Sequence, residues 1–146
     1  MKLAIACDYK GYELKKYIIN HIRGIEIIDL GCDSSDLVDY PKYAFKIGEY
    51  VVKHNCIGIA ICGTGIGISI ACNKVKGVRC ARVTSIKDAE KARVINDANI
   101  LAFSAEINPD KAVKMVANFY ETEFSNLDRR KRRNSQIKEY EEKHSI

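Results

Sequence analysis

The chain has 146 residues, 47% of them hydrophobic and 29% charged, and this composition predicts one soluble globular domain over residues 1–146. No apolar run approaches the roughly 18 residues of a membrane span, so we expect no membrane association. The apolar run at residues 3–7 is too short for a signal peptide, which predicts a cytoplasmic protein.

The cysteines indicate buried, reduced thiols. No two of them form a Cys-x-x-Cys pair, and several fall in apolar runs that are typical of strands, a pattern that argues against a disulfide framework. None of the histidines clusters with a cysteine, so the sequence predicts no metal site. The six cysteines are Cys7, Cys32, Cys56, Cys62, Cys72 and Cys80.

The net charge of +5 is concentrated in one short segment, residues 128–133, which carries five basic residues and one acid. Such a cluster predicts contact with a localised anion, although a solvated basic tail is a second interpretation. A tail that binds nucleic acid is a third, but aromatic residues do not interleave with the basic ones. We therefore expect no nucleic-acid partner.

Strand-like and helix-like segments alternate along the whole chain. The predicted strands cover residues 3–7, 25–30, 57–62, 78–83 and 100–103. The predicted helices cover residues 9–22, 42–54, 68–74, 85–96, 109–119 and, as a basic C-terminal helix, 128–146. This alternation predicts a Rossmann-like three-layer α/β fold, in which a five-stranded parallel sheet has helices on both faces.

In such a sheet, ligands bind beyond the carboxyl ends of the strands. This rule selects Asp8 and Tyr9, the segment after residue 62, and the stretches after Val83 and Phe103. Residues 62–67 read Cys-Gly-Thr-Gly-Ile-Gly and lead from a predicted strand into a helix. Glycines let backbone N–H groups approach a ligand, and a helix amino terminus favours negative charge, so the loop is suited to a phosphate or an oxyanion.

Two other interpretations of the glycine-rich loop remain open. A dinucleotide-binding turn, and with it a nucleotide-dependent oxidoreductase, fits poorly because the spacing is not Gly-x-Gly-x-x-Gly and the loop follows the third strand. A tight turn without a ligand is the other interpretation. Cys62 favours a catalytic loop, because a thiolate beside a helix start can remove a proton from a carbon next to a carbonyl.

Several motifs together resemble the type B ribose-5-phosphate isomerases and the related galactose-6-phosphate isomerases. The resemblance runs from residue 1 to about residue 137. The motifs are the loop at residues 62–71, Cys7-Asp8, Asp39-Tyr40-Pro41, Asn73-Lys74, Gly77-Val78-Arg79 and Asn96-Asp97-Ala98-Asn99.

The resemblance implies a sugar-phosphate isomerase that interconverts aldose and ketose phosphates through an enediolate, without metal or organic cofactor. Ribose 5-phosphate and ribulose 5-phosphate are the expected pair, and another sugar phosphate, open-chain or hexose, is the alternative substrate. The resemblance also implies a homodimer or homotetramer in which two subunits share each active site. It places catalysis on Cys62 and Thr64, and enediolate stabilisation on the surrounding loop, Gly63, Gly65, Ile66 and Gly67.

The same resemblance implies the substrate contacts. Asp8 contacts a substrate hydroxyl, and Tyr9 and Tyr40 border the site. Asn96 comes from the partner subunit, and Arg129 and Arg133 bind the phosphate. Residues four apart share one helix face, and basic residues in a first helical turn oppose the helix dipole, so an anionic ligand would explain this arginine pair.

Three residues depart from the family pattern: Tyr9 and Ile95 replace histidines, and Glu106 replaces an arginine that contacts phosphate. Ile95 stands where the family has its ring-opening histidine, and an alkyl side chain cannot move a proton. The sequence therefore leaves three alternatives open: a substrate that is already open-chain, slow ring opening by Tyr9 or water, or a non-catalytic sugar-phosphate binder. Retention of Cys62 argues against the binder.

Overall fold

The computed structural model describes residues 1–145 and contains a five-stranded parallel sheet in the order β2-β1-β3-β5-β4. In register, Ile5 lies opposite Ile59, which lies opposite Leu101. The predicted parallel α/β sheet is confirmed. The strands are β1 (Leu3–Cys7), β2 (Ile27–Asp29), β3 (Ile57–Cys62), β4 (Cys80–Arg82) and β5 (Ile100–Ser104).

Helices cover both faces of the sheet, as the predicted three-layer architecture requires. Side chains of α1, α4 and α5 pack with one buried cluster, and those of α2 and α3 pack with the other. A last helix, α6, has no buried residue. The helices are α1 (Tyr12–His21), α2 (Tyr40–His54), α3 (Ile66–Cys72), α4 (Ile86–Val94), α5 (Pro109–Glu121) and α6 (Asp128–His144).

The two sheet faces differ in the size of their side chains. Successive side chains of a strand point to opposite faces. In β1, Leu3 and Ile5 join the cluster under α1, α4 and α5, whereas Ala4 and Ala6 face α2 and α3. Because Ala60 and Ala102 continue this alanine surface on β3 and β5, α2 and α3 pack against small side chains. Helix α3 follows the candidate loop, so this packing holds the loop against the sheet.

Several predicted boundaries were wrong by a few residues. The two strands at the edges of the sheet, β2 and β4, are shorter than predicted because each pairs on one side only. Helix α2 begins at Tyr40, with Pro41 in its first turn. Ser85 and Asn108 cap α4 and α5 with their side chains. The predicted last helix extended to residue 146, which lies outside the described residues.

A buried lysine joins α1 to the segment that follows β2. Lys15 is 1% exposed, and its ammonium donates hydrogen bonds to Asp29 Oδ1 at 2.7 Å and to the carbonyl oxygen of Cys32 at 2.5 Å. These bonds satisfy the buried charge, which would otherwise be costly. They also hold the start of the segment at residues 30–39, which leads into α2 and borders the candidate site.

Within residues 1–145, no helix combines the length and the apolar character that crossing a membrane requires.

Candidate functional site

A cavity of about 420 Å³ opens at the carboxyl ends of β1 and β3. Its position is the one that the rule for parallel sheets predicts. The segment before α2 and the first residue of α2 form its outer wall. The lining residues are Asp8, Tyr9, Lys10, Leu37, Val38, Asp39, Tyr40, Cys62, Gly63, Thr64 and Gly67.

Cys62 is the last residue of β3 and lies at the floor of this cavity. Its side chain is only 4% exposed, yet it borders the cavity. The backbone N–H of Gly65 donates a hydrogen bond to Cys62 Sγ, with 3.2 Å between nitrogen and sulfur. The amide N–H of Gly65 therefore points at the sulfur of a residue that borders the cavity.

The glycine-rich loop is fixed by contacts from two neighbouring strands. The guanidinium of Arg82 donates to the carbonyl oxygen of Thr64 at 3.0 Å, and Ser104 Oγ donates to the carbonyl oxygen of Gly63 at 2.7 Å. Thr64 Oγ1 accepts the N–H of Ile66 at 3.1 Å, which starts α3. The loop is therefore ordered by the protein itself, which limits the reorganisation that a reaction would require.

Asp8 places a buried carboxyl group beside the loop. It is 5% exposed, and its Oδ1 accepts the N–H groups of Lys10 at 3.0 Å and Gly11 at 3.2 Å. Burial raises the pKa of Asp8 above its ordinary value, whereas the two N–H groups and the Lys10 ammonium act in the opposite direction. The second carboxyl oxygen remains available to accept a hydrogen bond from a ligand hydroxyl.

Two tyrosines contribute to the wall of the cavity. Tyr40, the first residue of α2, lies against Gly67: a Cβ built on Gly67 would be 2.6 Å from Tyr40 Cζ. Only glycine therefore permits this close approach of the ring to α3. Tyr9 is half-buried in the turn after β1 and lines the same cavity.

The fold brings together most of the residues that the sequence singled out. Gly65 lies directly behind the lining, where its N–H reaches Cys62. Ile66 is 49% exposed and does not line the cavity. The predicted residues that meet at the cavity are Asp8, Tyr9, Tyr40, Cys62, Gly63, Thr64 and Gly67.

Asn96, Arg129 and Arg133 lie away from this cavity. Asn96 follows α4, and the two arginines belong to the first half of α6, whose second half packs beside Met1 and Ile57 at the amino ends of the strands. Asn134 of α6 reaches the carbonyl oxygen of Ile95 at 3.5 Å, and Glu141 accepts the N–H of Gly77 at 2.7 Å. Within one chain, none of these three residues lines the cavity that Cys62 borders.

The structure also shows cavity residues that the sequence interpretation missed, namely Lys10, Leu37 and Val38, and Asp39, which it named only as part of the Asp39-Tyr40-Pro41 motif, lines the cavity as well. Lys10 had a usable signal, because it follows Asp8 and Tyr9 at the carboxyl end of β1. Leu37 and Val38 gave no such signal, since they belong to a polar loop without a motif.

Glu106, in the turn after β5, donates its N–H to Ser104 Oγ at 3.0 Å and leaves its side chain exposed.

Comparisons with known proteins agree over nearly the whole chain. Residues 3–137 match the family model described as Ribose/Galactose Isomerase. The Ribose-5-P isomerase B of Listeria innocua is 42% identical over 130 residues, which cover 86% of this chain and 87% of that protein.

Two solved structures are similar throughout. Ribose-5-phosphate isomerase B of Clostridium thermocellum has a TM-score of 0.94 and 42% identity, covering 99% of this chain and 100% of that chain. Ribose-5-phosphate isomerase B of Mycoplasma genitalium, solved with bound ribulose-5-phosphate, has a TM-score of 0.91 and 37% identity, covering 99% and 97%.

Proposed function

We propose that this chain, which belongs to the ribose/galactose isomerase family, is an aldose–ketose isomerase that interconverts ribose 5-phosphate and ribulose 5-phosphate. The observation that carries the proposal is the position of Cys62, whose sulfur borders the cavity and accepts the Gly65 N–H. A binding protein has no need of a base at that position. Residues 1–146 would form one isomerase domain.

In the proposed reaction, the Cys62 thiolate removes the proton from C2 of the open-chain aldose phosphate. The electrons of the C–H bond form the C1–C2 double bond of an enediolate, and the negative charge develops on the sugar oxygens. The thiol then returns the proton to C1, while a proton passes from O2 to O1, and the C2 carbonyl of the ketose forms. A positioned acid–base group contributes about 10²- to 10⁴-fold to such a rate.

The surroundings of Cys62 support this chemistry. The glycine-rich loop lies beside the sulfur, where charge develops on the sugar oxygens, and Asp8 provides an acceptor for a sugar hydroxyl. Tyr9 replaces a family histidine and still borders the cavity, so its hydroxyl can contact the substrate. Ring opening by Tyr9 or water would then precede the proton transfer.

We further propose that two copies of the chain share each site, as a homodimer or homotetramer. Asn96, Arg129 and Arg133 would reach the cavity of the partner, since none of them lines the cavity of its own chain. Exposed apolar side chains also support assembly. They are Phe45 and Val52 on α2, Ile66 and Ile70 on α3, and Ile137 and Tyr140 on α6.

The test is solvent deuterium incorporation with ribose 5-phosphate in heavy water, followed by NMR. We expect ribulose 5-phosphate to form and deuterium to appear at the carbon beside the carbonyl. Cys62→Ala should reduce the rate by about 10³-fold. Cys56→Ala is the matched control, because Cys56 is also a buried thiol but precedes β3 at the opposite end of the sheet.

Wild-type rates for the Cys62→Ala variant would contradict the proposed base. A four-carbon aldose phosphate, which forms no stable ring, serves as a second substrate. If it is isomerised rapidly while ribose 5-phosphate is not, the substrate assignment is wrong although the chemistry is right. Binding of ribose 5-phosphate without any deuterium exchange would instead indicate a non-catalytic sugar-phosphate binder.

A further inference from the structure

The charges around the cavity are poorly matched to an anionic sugar phosphate. Asp8 and Asp39 both line the cavity, and Glu106 lies in the turn whose Ser104 contacts Gly63. Carboxylates repel a phosphate dianion at short range. Beyond Arg129 and Arg133, which we propose to come from the partner subunit, a cation within the cavity wall would offset this repulsion, and this inference rests on the proposed function in that respect.

Of the described residues that line the cavity, Lys10 alone carries a fixed positive charge. It lies in the short turn after β1, where Asp8 Oδ1 accepts its backbone N–H at 3.0 Å. Its side chain extends across the glycine-rich loop. A Cβ built on Gly63 would lie 3.0 Å from Lys10 Cδ and 3.6 Å from Lys10 Nζ, so the absence of a side chain at position 63 makes room for the lysine.

The Lys10 ammonium is available to a ligand. Lys10 is exposed, and none of the ion pairs found among residues 1–145 includes it. The nearby cation Arg82 is already engaged, because its guanidinium donates to the carbonyl oxygen of Thr64.

The depths of Cys62 and Lys10 in the cavity indicate which part of the substrate Lys10 contacts. The reacting C–H group must approach Cys62, which is 4% exposed at the cavity floor. The phosphate dianion is strongly hydrated, and its burial is costly, so it remains near the mouth of the cavity. We propose that the ammonium of Lys10 binds the phosphate group of the substrate at this mouth, as a specificity-determining residue for phosphorylated sugars.

The experiment measures inorganic phosphate binding by calorimetry at constant ionic strength, which requires no turnover. We expect Lys10→Ala to weaken binding about tenfold, because a charge-assisted hydrogen bond is lost, and Lys10→Arg to retain most of the affinity. Lys16→Ala is the matched control, since Lys16 is an exposed lysine of α1 that does not line the cavity. Its affinity for phosphate should equal that of the wild type.

Kinetics provide a second readout. With ribose 5-phosphate, Lys10→Ala should raise KM about tenfold and leave kcat within about threefold, because the phosphate contact exists both before and during proton transfer. A fall in kcat with unchanged KM would overturn the phosphate role. Phosphate affinity that is unchanged in Lys10→Ala would overturn it as well, and so would the absence of saturable phosphate binding to the wild-type protein.

The two proposals fail separately. If the wild-type chain isomerises ribose 5-phosphate but Lys10→Ala binds phosphate normally, only the role of Lys10 is wrong. If the wild-type chain exchanges no deuterium but binds phosphate through Lys10, the isomerase assignment is wrong and the anion site stands.

Discussion

The N–H of Gly65 donates to Cys62 Sγ across 3.2 Å, and the backbone of Phe103 in β5 lies directly behind this contact. Gly65 has φ of +78°, and a Cβ at this position would be 2.6 Å from the carbonyl carbon of Phe103. The neighbouring strand β5 therefore leaves no space for a side chain at residue 65. The turn at Gly65 directs its backbone N–H at Cys62, the proposed base.

Gly65→Ala should destabilise the protein and impair catalysis. The left-handed conformation is unfavourable for alanine, and the methyl group would displace β5, so we expect the free energy of unfolding to fall by about 2–4 kcal/mol. Because the donor to Cys62 would shift with the turn, kcat should fall by about 10²-fold. Urea unfolding and the ribose 5-phosphate assay measure the two effects.

Gly24→Ala is the matched control for this substitution. Gly24 has φ of +76°, but nothing lies within 4 Å of a Cβ built there. In Gly24→Ala the free energy of unfolding should fall by only about 1 kcal/mol, because alanine is unfavourable in the left-handed conformation, and activity should be unchanged. Equal losses of stability in the two variants would show that the contact with Phe103 is unimportant.

Asp8→Asn should stabilise the folded chain at neutral pH while lowering activity. Burial raises the pKa of Asp8 in the folded state above its value in the unfolded chain, so the contribution of this group to stability is present at low pH and is lost as pH rises through the folded-state pKa. Asparagine retains an oxygen that can accept the N–H groups of Lys10 and Gly11, and it carries no charge. The stability of the variant relative to wild type should therefore increase as pH rises.

Urea unfolding at pH 3.5 and at pH 7 measures this difference. Asp36→Asn is the control, because it removes an exposed loop carboxylate outside the cavity lining. A relative stability of Asp8→Asn that is the same at both pH values would contradict the burial effect. Activity should fall because the carboxylate that accepts a sugar hydroxyl is gone, a common trade between stability and function.

Mixing two inactive variants tests whether sites are shared between subunits. Cys62→Ala lacks the proposed base, and an Arg129→Ala/Arg133→Ala variant lacks the arginine pair. If the partner supplies the arginines, mixed dimers contain one intact site of two, and random mixing should restore about a quarter of wild-type activity. Each variant unfolded and refolded alone is the control. Mass spectrometry shows whether mixed dimers have formed. If they have formed and the mixture recovers no isomerase activity, the shared site is contradicted.

Local patterns predicted most of the architecture. The strand β3 follows from nearest neighbours in the chain, because side-chain periodicity acts over a few residues. The edge strands β2 and β4 were predicted too long. Their ends depend on pairing with a partner strand, which local sequence does not encode.

The sequence by itself determined the order of strands and helices, the position of the glycine-rich loop at a strand end, and Cys62 at its head. These features depend on short-range patterns of apolar residues and glycines. Only the tertiary structure placed Lys10 across Gly63, brought Leu37 and Val38 to the cavity, and left Arg129 out of the lining of that cavity. The reason is physical: such contacts join segments that are distant in sequence, and packing of the two faces of the sheet decides which of them meet.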